Sequence, residues 1–185
     1  MADETSKGDR IAKVLARACI ASRRDSEKLI TAGRVKVNGQ KILSPALNVH
    51  PYDKIEFDDN LIEAAEEARL WLYNKPAGLV TSARDEKGRE TVFDNLPDHL
   101  PRVMSVGRLD LNSEGLLLLT NDGALKRTME LPSTGWTRRY RVRIKGYPRE
   151  GAFEPLTRGI TVDGERFQPM TIQLDRQTGA NFWLT

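Results

Sequence analysis

One stretch of nineteen residues concentrates groups able to do chemistry: Ser105-Val106-Gly107-Arg108-Leu109-Asp110-Leu111-Asn112-Ser113-Glu114-Gly115-Leu116-Leu117-Leu118-Leu119-Thr120-Asn121-Asp122-Gly123. Leu116 to Leu119 form a continuous apolar run, the pattern of a strand buried in a sheet. The polar loop before it therefore holds Asp110 beside a rigid element, where a carboxylate can act. Taken alone, these residues leave a plainer role open, in which Asp110 caps the loop or pairs with Arg108. A second candidate is Tyr140, within Arg138-Arg139-Tyr140-Arg141-Val142. Alternation places it on one face with Val142 and Ile144, either as a stacking ring or as a core tyrosine. The third group is cationic: Ser22-Arg23-Arg24, Lys28, then Gly33-Arg34-Val35-Lys36-Val37-Asn38-Gly39.

These groups need elements to position them. From Gly8 to Ile20, apolar Ile11, Val14, Leu15 and Ala18 recur at helical spacing and leave Arg10, Lys13 and Arg17 on the polar side. Ser22 is placed to cap a second helix, with Asp25 near its positive end, and Gly33 to end it. Val35 and Val37 then alternate with Arg34 and Lys36, and Asn38-Gly39 is a strong hairpin signal because both residues tolerate positive φ. Alternation returns from Tyr52 to Phe57, completing a unit of two helices and a small sheet over residues 1–57. Residues 58–69, acidic and without an apolar stripe, read as a linker. From Leu70 to Thr185 the pattern is of strands, at Leu70–Tyr73, Gly78–Thr81, Leu116–Thr120, Tyr140–Ile144 and Phe182–Leu184, with one helix at Ala124–Leu131. The predicted fold class is α+β with a mixed, largely antiparallel sheet in the second domain.

Charge distribution says more than the net +3. Residues 1–56 hold eleven Lys and Arg against seven Asp and Glu, residues 57–69 hold one against five, and the remainder seventeen against fourteen. Cations gathered at a helix start attract phosphate through charge and free backbone amides. That surface suits a folded RNA, whose deep groove denies base reading; a solvated charged face is the alternative. No run approaches the roughly 18 apolar residues of a membrane span, which excludes a membrane protein of that kind. The N-terminus lacks the apolar run of a secretory leader, so the cytoplasm is the expected compartment. Cys19, the only cysteine, stands with only His50 and His99, so no structural metal is expected.

Residues 8–57 resemble the RNA-binding domain first described in small-subunit ribosomal protein four, through the Ser-Arg-Arg, the downstream Gly-Arg-Val and the Val-Asn-Gly. The resemblance implies that Arg10, Lys13, Ser22, Arg23, Arg24, Lys28 and Lys36 face RNA. The stretch Ser105–Gly123 is similar to the central motif of the RsuA/RluB group of pseudouridine synthases, in which the aspartate of Gly-Arg-Leu-Asp is catalytic. Asn74-Lys75-Pro76-Ala77-Gly78 resembles the first motif of that family, and Arg138 to Val142 its basic-Tyr strand. Together they imply Asp110 as nucleophile, Arg108 as its anchor or a phosphate holder, Tyr140 as the ring that stacks on the target base, and Lys75 as a further RNA-facing residue.

The activity so implied is isomerisation of a specific uridine in ribosomal RNA, with the sequence after Asp110 closer to the large-subunit-specific branch. The target base must leave its stack, at a cost of a few kcal/mol that RNA contacts offset. No cofactor is called for. The implied partners are ribosomal RNA and a ribosome-assembly intermediate, and the chain is expected to be a monomer. Family members continue past Asn181–Thr185 into a third motif rich in Arg and Lys, so the resemblance implies a shortened chain that binds RNA but turns over poorly. A non-catalytic RNA-binding or ribosome-assembly protein is the competing expectation.

Overall fold

Apolar residues at a helical period, followed by two at a strand period, dictate the first core. In the computed structural model, which describes residues 8–63 and 65–185, Ile11, Ala12, Leu15, Ile30, Val35, Val37, Val49 and Ile55 are buried together. The expectations for residues 1–7, and for Ala64 as part of a linker, lie outside the described residues. The chain opens with β1 (Asp9–Arg10), α1 (Ile11–Arg17) and α2 (Arg23–Thr31), then β2 (Val35–Val37), β3 (Gln40–Ile42), β4 (Asn48–Val49), β5 (Ile55–Phe57) and β6 (Asn60–Leu61). These strands form an antiparallel sheet in the order β3-β2-β5-β6, while β1 pairs with β4.

Local chemistry sets the boundaries. The Ser22 hydroxyl accepts from the Asp25 amide at 3.1 Å, capping α2 as expected. At the other end Gly33, with φ at 71°, donates to the Ile30 carbonyl and Arg34 to that of Leu29, the paired bonds of a glycine-terminated helix. Asn38 and Gly39 both carry positive φ, at 53° and 78°, and register Val37 opposite Gln40. Part of the stretch read as a linker is structured, since β6 pairs Leu61 with Glu56.

A second core follows, of Leu79, Val92, Val103, Leu117 and Leu119. It lies on one face of a three-stranded antiparallel sheet in which β9 (Gly115–Thr120) runs between β7 (Leu70–Lys75) and β8 (Met104–Val106), with α3 (Gly123–Glu130) beyond. Two expectations change here. Gly78–Thr81 is no strand but makes a single bridge, Val80 to Thr91. The leucine run is buried on one side only: Leu117 and Leu119 face the core while Leu116 is 64% exposed, because an antiparallel sheet needs just one covered face.

By compactness the chain divides into Met1–Thr134 and Gly135–Thr185. The second unit holds β10 (Val142–Lys145), α4 (Glu154–Thr157), β11 (Ile160–Val162), β12 (Glu165–Phe167), β13 (Leu174–Thr178) and β14 (Asn181–Leu184). Its strands form the sheet β10-β14-β13 and the hairpin β11-β12. Phe182 and Leu184 are its buried apolar residues. No described helix is long and apolar enough to cross a membrane.

Candidate active site

The loop between β8 and β9 carries Arg108 and Asp110, and its geometry is set from below by the segment that follows β7. Lys75 ends that strand with its side chain fully buried. Its ammonium donates to the carbonyls of Pro76 at 3.1 Å, Asp110 at 3.0 Å and Ser113 at 2.7 Å. An ammonium has three protons to donate, and here all three directions end on carbonyl oxygens. Burial pulls Lys75 below its ordinary pKa, and the Asp110 charge opposes that shift.

Two further contacts complete the support. The Gly78 amide donates to the Leu111 carbonyl at 2.7 Å. The buried Thr81 hydroxyl donates to the Leu109 carbonyl at 2.7 Å and accepts from the Leu109 amide at 3.3 Å. Four loop residues in five, Leu109, Asp110, Leu111 and Ser113, are thus fixed through their backbones by residues 75–81. At the start of the loop the Gly107 amide donates to the Glu130 carboxylate at 2.8 Å, and Lys126 bridges the same carboxylate to the Ser105 carbonyl.

The Asp110 side chain is left exposed, with no hydrogen bond or ion pair of its own among the described residues, and the same holds for Arg108. The structure therefore brings these two residues onto one fixed loop without pairing them to each other. Tyr140 lies in the second unit, just before β10 and outside it, and is 52% exposed. The expected strand starts two residues later than predicted, and Tyr140 is not a core tyrosine.

Lys75 requires a correction. It was expected to face RNA, but a fully buried ammonium committed to three carbonyls has no surface to offer a phosphate. Its role is to hold the loop. Thr81 was missed in the sequence because a threonine in a β-like run carries no local mark of the bond it makes 28 residues away.

The cationic residues of the first core fall into two sets. Arg23 and Arg24 are exposed at the start of α2 and make no ion pair among the described residues. Lys13 pairs with Asp9 at 2.6 Å, Lys28 with Asp25 at 2.8 Å, and Lys36 with Asp59. Arg10, the N-cap of α1, donates to the Ala46 carbonyl. The hydroxyl of Ser22, also assigned to RNA, is engaged in the cap and with the Asp25 carboxylate. Exposed ion pairs are weak and screened by salt, so the paired lysines remain exchangeable for phosphate.

The first core thus presents two exposed arginines without ion pairs among the described residues, and the loop after β8 presents an exposed carboxylate. Comparison with known proteins makes this specific. Residues 69–177 match the model of the RNA pseudouridylate synthases, and residues 9–55 that of the S4 domain. An uncharacterized RNA pseudouridine synthase of Rickettsia felis is 48% identical over 94% of this chain and 75% of its own length. The ribosomal large subunit pseudouridine synthase B of Pseudomonas aeruginosa is 44% identical over 84% of this chain, which matches 42% of that protein. A crystal structure of a pseudouridylate synthase aligns over 96% of the chain and 76% of its own, at a TM-score of 0.52 and 26% identity. The chain belongs to the RNA pseudouridylate synthase family and has an RNA-binding S4 domain.

Proposed function

We propose that this chain isomerises one uridine of large-subunit ribosomal RNA to pseudouridine, in the cytoplasm, with Asp110 as the reacting carboxylate. Residues 1–57 form the RNA-gripping module, 58–69 the connection, and 70–185 the catalytic domain. The observation that carries the reading is the Asp110 carboxylate, exposed and unpaired on a loop whose backbone is fixed at Leu109, Asp110, Leu111 and Ser113. The sequence similarity to a ribosomal large subunit synthase supports the choice of RNA.

In the reaction the bond from the anomeric carbon to N1 breaks, the uracil rotates, and C5 bonds to the same carbon, with the C5 proton released and N1 gaining one. A carboxylate ionised at neutral pH can attack the anomeric carbon or remove the neighbouring sugar proton to give a glycal. Fixing the loop reduces the reorganisation needed to bring the carboxylate onto that carbon. Arg108 is assigned a flanking phosphate, and Tyr140, in the second unit, the role of a ring able to stack on a base.

The test uses transcripts of large- and small-subunit ribosomal RNA carrying tritium at uracil C5, since isomerisation releases that label to water. Release from the large-subunit transcript alone is the expected result. Release only from the small-subunit transcript would reassign the substrate, and bound RNA without release from either would overturn the reading.

A further inference from the structure

Within Met1–Thr134 a cleft of about 810 Å³ is lined by the start of α2, by Ser82–Arg84 and by the segment from Phe93 to Val103. Four cations contribute to it: Arg24 and Lys28 from the helix, Arg84 from one loop and Arg102 from another. We propose that this cleft binds the RNA sugar-phosphate backbone, with Arg84 and Arg102 as phosphate-contacting residues beside Arg24. The proposal rests on the reading of this chain as an enzyme acting on RNA, and adds a binding track outside both the helix-and-hairpin cations and the Asp110 loop.

Three of the four cleft cations are free of ion pairs among the described residues, whereas Lys28, and others outside the cleft, are spent. Arg34 is neutralised by Asp58 and Arg89 by Asp85, each in a two-pronged pair, and Lys36 by Asp59. Arg24, Arg84 and Arg102 make no ion pair or hydrogen bond to a carboxylate among the described residues, and the charge of Asp25 acts on Arg84 only at longer range. Two carboxylates also line the cleft, Asp25 and Asp98, and the first is already engaged by Lys28 and Ser22. Among the described residues the Arg102 guanidinium makes one hydrogen bond, to the Ala21 carbonyl at 3.2 Å, which seats it at the start of α2 with its other donors unengaged by them. Arg84 lies close enough for its charge to help lower Asp25. Arginine offers a planar fork of donors that matches phosphate oxygens two at a time, and a helix start adds unpaired amides.

The position of the cleft connects it to the chemistry. Ser82 follows Thr81, whose hydroxyl fixes Leu109 next to Asp110. An RNA strand lying on Arg84 is therefore held by the same segment that fixes the reactive loop, so contact there positions the substrate without touching the reacting atoms.

The experiment measures binding of the full chain to a fluorescein-labelled RNA stem-loop by anisotropy over a range of salt concentrations, together with turnover at saturating RNA. Arg84→Ala and Arg102→Ala should each lower the slope of log affinity against log salt by about 1, and the double variant by about 2. Arg84→Lys should keep most of the slope. Lys87→Ala, on the same loop but outside the cleft lining, should leave both the slope and the turnover at saturating RNA unchanged. A wild-type slope in the double variant, or an equal loss in Lys87→Ala, overturns the cleft. If Arg102→Ala fails to fold, Arg84→Ala with its lysine counterpart decides alone. The enzymatic reading fails separately: Asp110→Asn that binds normally and still turns over sinks it without affecting the cleft, whereas a wild-type chain that does not bind RNA sinks both.

Discussion

The helix-and-hairpin region and the Asp110 loop solve opposite positioning problems. The first holds its cations on regular elements, with backbone groups satisfied by helix and ladder and side chains directed to water. The second holds a carboxylate on an irregular loop, where no ladder satisfies the backbone, and the missing partners come from buried side chains at Lys75 and Thr81. A binding surface tolerates side-chain mobility because phosphate contacts are long-ranged and additive. A reacting carboxylate does not, since small misplacement costs rate steeply. The difference predicts that substitutions in the two regions have different signatures.

Among the residues that support the loop, the largest departure is expected from Lys75→Met, which keeps a long apolar stem and removes the ammonium. Three carbonyls lose their donor, at about 1 to 3 kcal/mol for each that stays unsatisfied. Thermal unfolding should move down and the turnover number should fall, with affinity for RNA nearly unchanged. Thr81→Val preserves shape and removes the two bonds to Leu109, at about 1 kcal/mol of stability. A lowered turnover number without a change in KM would place Thr81 among the positioning residues; a change in KM alone would remove it.

How much of this was legible follows from where the information lies. The Ser22 cap, the Gly33 helix end and the Asn38-Gly39 turn are each decided within about four residues of chain, and sequence chemistry reads them directly. The Asp110 loop is identified by a motif that is contiguous. Lys75 was misassigned because a lysine is ordinarily a surface residue, and what buries it lies 35 and 38 residues downstream. The reading of Gly78–Thr81 as a strand failed for a related reason: its apolar period is genuine, yet the pairing goes to loop residues instead of a neighbouring strand. Leu116 carries the same lesson, since composition cannot say which face of an antiparallel strand is covered.

The smallest effect belongs to the first region. The Asp25 carboxyl is pulled down to about 2, chiefly by its bond to Lys28 and then by Ser22. A group held below its unfolded value binds fewer protons when folded, so its contribution is complete above about pH 4 and is lost as pH falls toward the folded value. Asp25→Asn should flatten this acid dependence of helix content, followed by circular dichroism between those limits, without altering turnover at neutral pH.

The central claim is that Asp110 does the chemistry and only the chemistry. Pseudouridine mapping in the ribosomal RNA of a host lacking its own enzyme, supplied with this chain or with Asp110→Asn, tests it most directly. The account predicts modification restored by the chain and reduced by a factor on the order of 10⁴ or more in the variant, with RNA binding intact. Modification restored equally by both would contradict it.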